Sequence, residues 1–147
     1  MKKLLVLLLP ILAFAGCSRP SLVGKWKTDV PYNMQKVPMS IDIKDGGKWT
    51  ARLITNEVRT PIMVLPPVTA DTSGTWKLDG EALMFAADVT NISGAPEPMK
   101  ALMPLVEKAI TTELNNYAQS KVKFNEDKTV LITNAKGDNL TLTRDSG

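Results

Sequence analysis

The chain has 147 residues, a length that suits one domain, and carries 18 basic and 15 acidic residues, no histidine and one cysteine. The absence of histidine excludes Ser-His-Asp and Cys-His nucleophilic arrangements and histidine-based metal sites. A net charge of +3 without any basic run offers no footprint for nucleic acid.

Lys2 and Lys3 precede an apolar run, Leu4 to Phe14, broken only by Pro10. Small residues, Ala15 and Gly16, then lead to Cys17. A basic start, a short apolar run and a small-residue exit describe a secretory signal peptide over residues 1–16. The run falls short of the roughly 20 apolar residues that a spanning helix needs. The ending Ala15-Gly16-Cys17 resembles the lipobox of bacterial lipoproteins, with Phe14 standing where leucine is common. That resemblance implies cleavage before Cys17, a diacylglyceryl group on its sulfur and, in many species, acylation of the new amino terminus. It also implies the outer membrane, because Ser18 follows the cysteine where aspartate tends to mark inner-membrane retention. Residues 17–21 form the lipidated cysteine and its tether, which reaches at most about 17 Å at about 3.5 Å per residue. Without Lys2 and Lys3 the remaining chain holds sixteen basic residues against fifteen acidic ones, nearly neutral. A lipidated Cys17 leaves no disulfide and no thiolate site.

Residues 22–145 are expected to form the domain. Leu22 to Thr28 reads as a first strand, followed by a looser segment, Asp29 to Gln35. Val37, Met39, Ile41 and Ile43 alternate with polar partners, the period of a half-buried strand. Asp45-Gly46-Gly47 is a turn signal leading into Lys48 to Thr55. Val58 to Leu65 reads as an apolar strand, and Pro61 assigns it to an edge or a bulge. Asp79-Gly80 joins two alternating runs as a type I′ hairpin, with Leu83, Phe85, Ala87 and Val89 expected on one face.

After Pro96 the period changes. Met99, Leu102, Met103, Val106, Ile110, Leu114 and Tyr117 recur at intervals of three and four, which predicts one amphipathic helix near 98–119. Pro98 suits a first turn. Pro104 does not suit an interior, so a kink is expected there, or a main helix from Pro104 to Gln119. Three short strands follow, at Lys121 to Phe124, Thr129 to Thr133 and Asn139 to Arg144. The predicted fold class is mainly β: an antiparallel up-and-down barrel of about 8–9 strands with one inserted helix.

Each of the three tryptophans follows a glycine by two positions: Gly24-Lys25-Trp26, Gly47-Lys48-Trp49 and Gly74-Thr75-Trp76. Each glycine is expected to turn the chain before a tryptophan that starts a strand. The spacings of 23 and 27 residues approximate one up-and-down hairpin. Either the three indoles enter one barrel mouth, or they are independent core residues after turns. Gly24-Lys25-Trp26 resembles the Gly-X-Trp signature of lipocalins, and Gly74 to Phe85 and Asp127 to Arg144 resemble bacterial lipocalin-like lipoproteins. The resemblance implies that Arg144, near the last strand, packs across Trp26. The inserted helix departs from the lipocalin pattern, where the helix follows the barrel.

Two roles without catalysis remain open. One is binding of an apolar small molecule or lipid in a barrel lined by Met39, Ile41, Leu53, Met63, Leu83, Phe85 and Phe124. The other is a protein-interaction or scaffold module of the cell envelope with a filled barrel. No enzyme is expected: Asp42 and Asp45 fall on opposite strand faces, and Glu107 and Glu113 are six apart, off one helical face. No cofactor or metal motif occurs, and the expected partners are the membrane, through the anchor, and a hydrophobic ligand. If Cys17 carries the anchor, Cys17→Ser will move the protein from the membrane to the soluble fraction; a membrane-bound Cys17→Ser protein would overturn the lipobox reading.

Overall fold

Eight antiparallel strands hydrogen-bonded in the order β1-β10-β9-β8-β7-β6-β3-β2 close on themselves as a barrel. This is a computed structural model, and it describes residues 20–32, 35–59, 61–62 and 64–146. The leader, Cys17, the first part of the tether and Met63 lie outside the described residues. The barrel strands are β1 (Gly24–Tyr32), β2 (Gln35–Lys44), β3 (Lys48–Ile54), β6 (Thr69–Asp79), β7 (Ala82–Ser93), β8 (Gln119–Phe124), β9 (Val130–Asn134) and β10 (Asn139–Arg144). β4 (Val58–Arg59) and β5 (Val64–Leu65) pair only with each other. The expected single strand from Val58 to Leu65 is therefore a small hairpin outside the barrel. Its bend contains Pro61, which has no N–H to give a ladder.

The looser segment expected from Asp29 is strand as far as Tyr32. Pro31 is tolerated there for a geometric reason. Asp145 N–H donates to the Lys25 carbonyl, so alternate residues of β1 from Lys25 onward face β10. Pro31 faces the same way, but β10 pairs with β1 only at Trp26 and Lys27. The missing proline donor therefore costs no ladder bond.

β6 and β7 pair along eleven positions, with a bulge opposite Ser73 and Gly74. Asp88 is the extra residue. A one-residue insertion reverses which side chains face inward. Leu83 and Ala87 are buried before the bulge, and Thr90 is buried after it. Val89, expected beside Leu83, Phe85 and Ala87, is instead 49% exposed.

A 3₁₀ segment, Glu97–Leu102, contains Pro98 in its first turn. Helix α1 then runs from Met103 to Asn115 with Pro104 in its own first turn. Neither proline interrupts a helical hydrogen bond. The predicted stretch 98–119 is thus two helical pieces, of which the second, beginning one residue before the expected Pro104, is the α-helix. It stops four residues short of Gln119, which already belongs to β8.

The helix fills a gap in the wall. β8, β9 and β10 have six, five and six residues, against eleven and twelve in β6 and β7. β8 pairs with β7 only at Ala82 to Met84. Beyond that point the backbone of β7 would face nothing. Phe85 N–H donates to the Ala118 carbonyl at 3.0 Å. Ala87 N–H donates to Asn115 Oδ1 at 2.8 Å, and Asn115 Nδ2 donates to the Ala87 carbonyl at 3.2 Å. Thr90 and Thr111 share a hydroxyl bond at 2.8 Å, and Ile92 N–H donates to Glu107 Oε1 at 3.2 Å. Glu107, Thr111 and Asn115 are four apart, so one helix face presents all three. Their side chains take the place of a neighbouring strand.

Asn115→Ala leaves both backbone groups of Ala87 without partners, and an expected loss of about 1–3 kcal/mol follows. Urea unfolding will read the loss. Amide exchange should quicken at Ala87 more than at Leu83, which pairs with Ser120. Glu107→Gln keeps an oxygen acceptor for Ile92 and should be close to neutral.

Candidate functional site

The strand turns at Asp45–Gly47, Asp79–Glu81 and Asn125–Lys128, together with Gly24 and Arg144, gather at one end of the barrel, the turn end. The β4–β5 hairpin and the start of the helical segment leave from the other, the helix end. All three tryptophans lie at the turn end, as the hairpin spacing implies. Trp26 and Trp49 are fully buried, and Trp76 is half-buried.

Each indole N–H is bonded to backbone. Trp26 Nε1 donates to the Leu22 carbonyl at 2.7 Å. Trp49 Nε1 is shared between the carbonyls of Thr75 and Ala86, both at 3.2 Å. Trp76 Nε1 donates to the Lys44 carbonyl at 3.0 Å. The Trp49 ring also stacks on Phe85, with centroids 4.5 Å apart. Gly74 is not in a turn before Trp76, contrary to the repeated Gly-X-Trp reading. It lies within β6 at the bulge, where a Cβ would come within 1.8 Å of the Ala86 carbonyl oxygen and 3.0 Å of the Trp49 ring. Close approach requires this glycine.

Arg144 lies over Trp26, with its guanidinium carbon 3.9 Å from the ring centroid. Its Nη1 donates to the Val23 carbonyl at 3.0 Å, and its Nη2 to the Ser21 carbonyl at 3.2 Å. Together with Trp26 Nε1 they bind three successive carbonyls, Ser21, Leu22 and Val23. Gly24 is the residue that permits this clamp: its φ is +140°, and a Cβ there would lie 1.9 Å from Arg144 Nη1. The clamped strap drives Leu22, 2% exposed, into the turn end of the barrel.

The interior is nearly full. The larger void measures about 40 Å³ and is lined by Met39, Ile41, Leu83 and Phe85 among the expected residues. Leu22 closes it from the turn end, and Leu114 and Tyr117 occupy it from the helical segment. A second void of about 20 Å³ lies between Leu53, Val30, Val37, Ile110 and Leu114. Leu53 lines this void and not the larger one, although it pairs directly with Met39 across β2 and β3. Phe124 is half-buried and lines an outer groove at the turn end.

Sequence periodicity placed Tyr117 on the apolar stripe of the helix but did not single out Leu22 as an interior filler. Leu22 belongs to no strand, and its burial depends on Arg144, far along the chain. Tyr117 follows the helix, and its buried ring extends the helical stripe into a turn. Desolvation, reinforced by the carboxylates of Asp138 and Glu113, pushes its phenol pKa above the ordinary tyrosine value. No Asp, Glu, Lys or Arg is buried among the described residues. The larger void is lined by apolar side chains together with the ring of Tyr117.

No family model matches the chain, and no curated protein matches it. Among solved structures, the chain is similar to an NMR structure of a protein from Burkholderia xenovorans. The two share 16% identity over 85% of this chain and 80% of that one, with a TM-score of 0.41.

Arg144→Ala removes two charge-assisted bonds and the ring contact, with an expected cost of about 2 kcal/mol. Gly24→Ala displaces the same guanidinium and should cost a similar amount. Urea unfolding of the double variant should show less than the sum, because both changes disable one clamp.

Proposed function

We propose that this protein is a lipid-anchored lipoprotein of the bacterial envelope whose lipocalin-like barrel serves, without catalysis, as a protein-interaction module. The lipobox-like ending at Cys17 supports the anchor, and Ser18 supports the outer membrane. The observation that carries the interaction role is the filled interior. Pockets for small molecules occupy about 300–1,000 Å³, against voids of about 40 and 20 Å³. Recognition then falls to the surface. At the helix end Ile62 is 88% exposed and Leu105 67% exposed, with Val64 and Leu102 exposed nearby in the chain. Exposed apolar groups of this kind suit a protein partner.

A second reading, binding of an apolar ligand, is favoured by one observation. Polar side-chain bonds hold α1 against β7, while its Ile110 and Leu114 fill the interior. A ligand could occupy that space only with the helix displaced.

Native mass spectrometry of gently released protein separates the two readings. The interaction role predicts the mass of the lipidated chain alone. A stoichiometric apolar molecule, lost on Leu83→Trp filling of the interior, would overturn it in favour of the ligand role.

A further inference from the structure

The clamp on Ser21 bears on where the protein meets its membrane. Resting on the lipobox reading, we propose that the turn end of the barrel docks on the bilayer, with phospholipid phosphate seated in the groove beside the strap. The first support is length. Ser21 is held by Arg144 through its carbonyl, so only Ser18, Arg19 and Pro20 separate that fixed point from Cys17. Four Cα steps at about 3.5 Å reach at most about 14 Å. A lipid on Cys17 therefore holds the strap, and the barrel end that it plugs, against the headgroup layer. The helix end, beyond the long strands, is directed away.

The second support is the chemistry of the surface at that point. A groove of about 560 Å³ runs between the strap and the β8–β9 turn. Pro20 and Ser21 form one side, and Phe124 and Lys128 belong to the other. Arg144 lines it as well. Two of the five guanidinium N–H donors are committed to the strap carbonyls, which fixes the plane of the cation at the groove. A fixed guanidinium beside an exposed ammonium group suits phosphate oxygens. Glu126 is the only acid lining the groove among the described residues. The neighbouring Asp127 is engaged within the turn, accepting from Thr129 N–H and Thr129 Oγ1. The occupant is therefore a phosphate-bearing headgroup of the leaflet that holds the anchor.

The test uses the lipidated chain in vesicles of phosphatidylethanolamine and phosphatidylglycerol containing a headgroup-nitroxide lipid. Cys17 is the one native cysteine and is occupied by lipid, so an added cysteine takes a fluorophore alone. Glu81→Cys labels the turn end, and Lys136→Cys labels the β9–β10 turn at the helix end. The expected result is several-fold stronger quenching at position 81 than at position 136, falling by half or more on Lys128→Glu. Equal quenching at the two ends overturns the docked orientation. Strong quenching at position 81 that Lys128→Glu leaves unchanged overturns the groove as a phosphate site. The mass of the amino-terminal peptide is read on the same sample. An unmodified Cys17 overturns the lipobox reading and the docking with it, a failure distinct from a lipidated protein that lies in another orientation.

Discussion

Ala87 directs both of its backbone groups to a side where β8 no longer reaches, and closure of the barrel depends on their being met. A buried or half-buried amide without a partner costs about as much as a lost hydrogen bond. The wall here is uneven, with long β6 and β7 against short β8 to β10. Asn115 supplies an acceptor and a donor at the right height, and Glu107 and Thr111 extend the match along β7. A helix side therefore completes a sheet edge. The same helix sends Ile110 and Leu114 into the interior, so satisfying the edge and filling the core are one act.

The turn end solves a related problem with different groups. An open barrel mouth would expose Trp26 and the apolar floor beneath it. The strap crosses it, Leu22 plugs it, and three carbonyls that would otherwise lie at a protein surface accept bonds from Arg144 and Trp26. Gly24 makes this possible by omitting the atom that would collide with the guanidinium. With both ends occupied from the barrel's own chain, little volume remains inside. The two ends of the barrel differ in character: turns, cations and the clamped strap at one, exposed aliphatic side chains at the other.

Much of this was legible in local pattern. The alternation around Met39 and Ile41, the Asp79-Gly80 turn and the three-four spacing from Met103 to Tyr117 each reflect a short-range geometric rule. Errors arose where one residue altered the rule. Asp88 inserts into β7 and turns Val89 outward, with no glycine or proline in β7 itself to mark it. Pro61 bends Val58 to Leu65 into a separate hairpin. Gly74 has the spacing of the other glycine–tryptophan pairs but serves close packing against Ala86. The expected pocket residues were mostly inward, as alternation requires, yet Leu53 lines the smaller void and Phe124 the groove at the turn end, because alternation gives a face and not a height along the barrel.

The sequence by itself determined the elements: strands from period two, a helix from period three-four, and turns from glycine and aspartate. These depend on neighbours within a turn or a hairpin. Tertiary structure alone decided that the helix would complete β7, that Leu22 would be a plug, and that the interior would be nearly full. Each of those outcomes joins residues distant in the chain, Asn115 with Ala87 and Arg144 with Ser21. Their meeting is set by strand lengths and closure of the barrel, quantities that no local window contains.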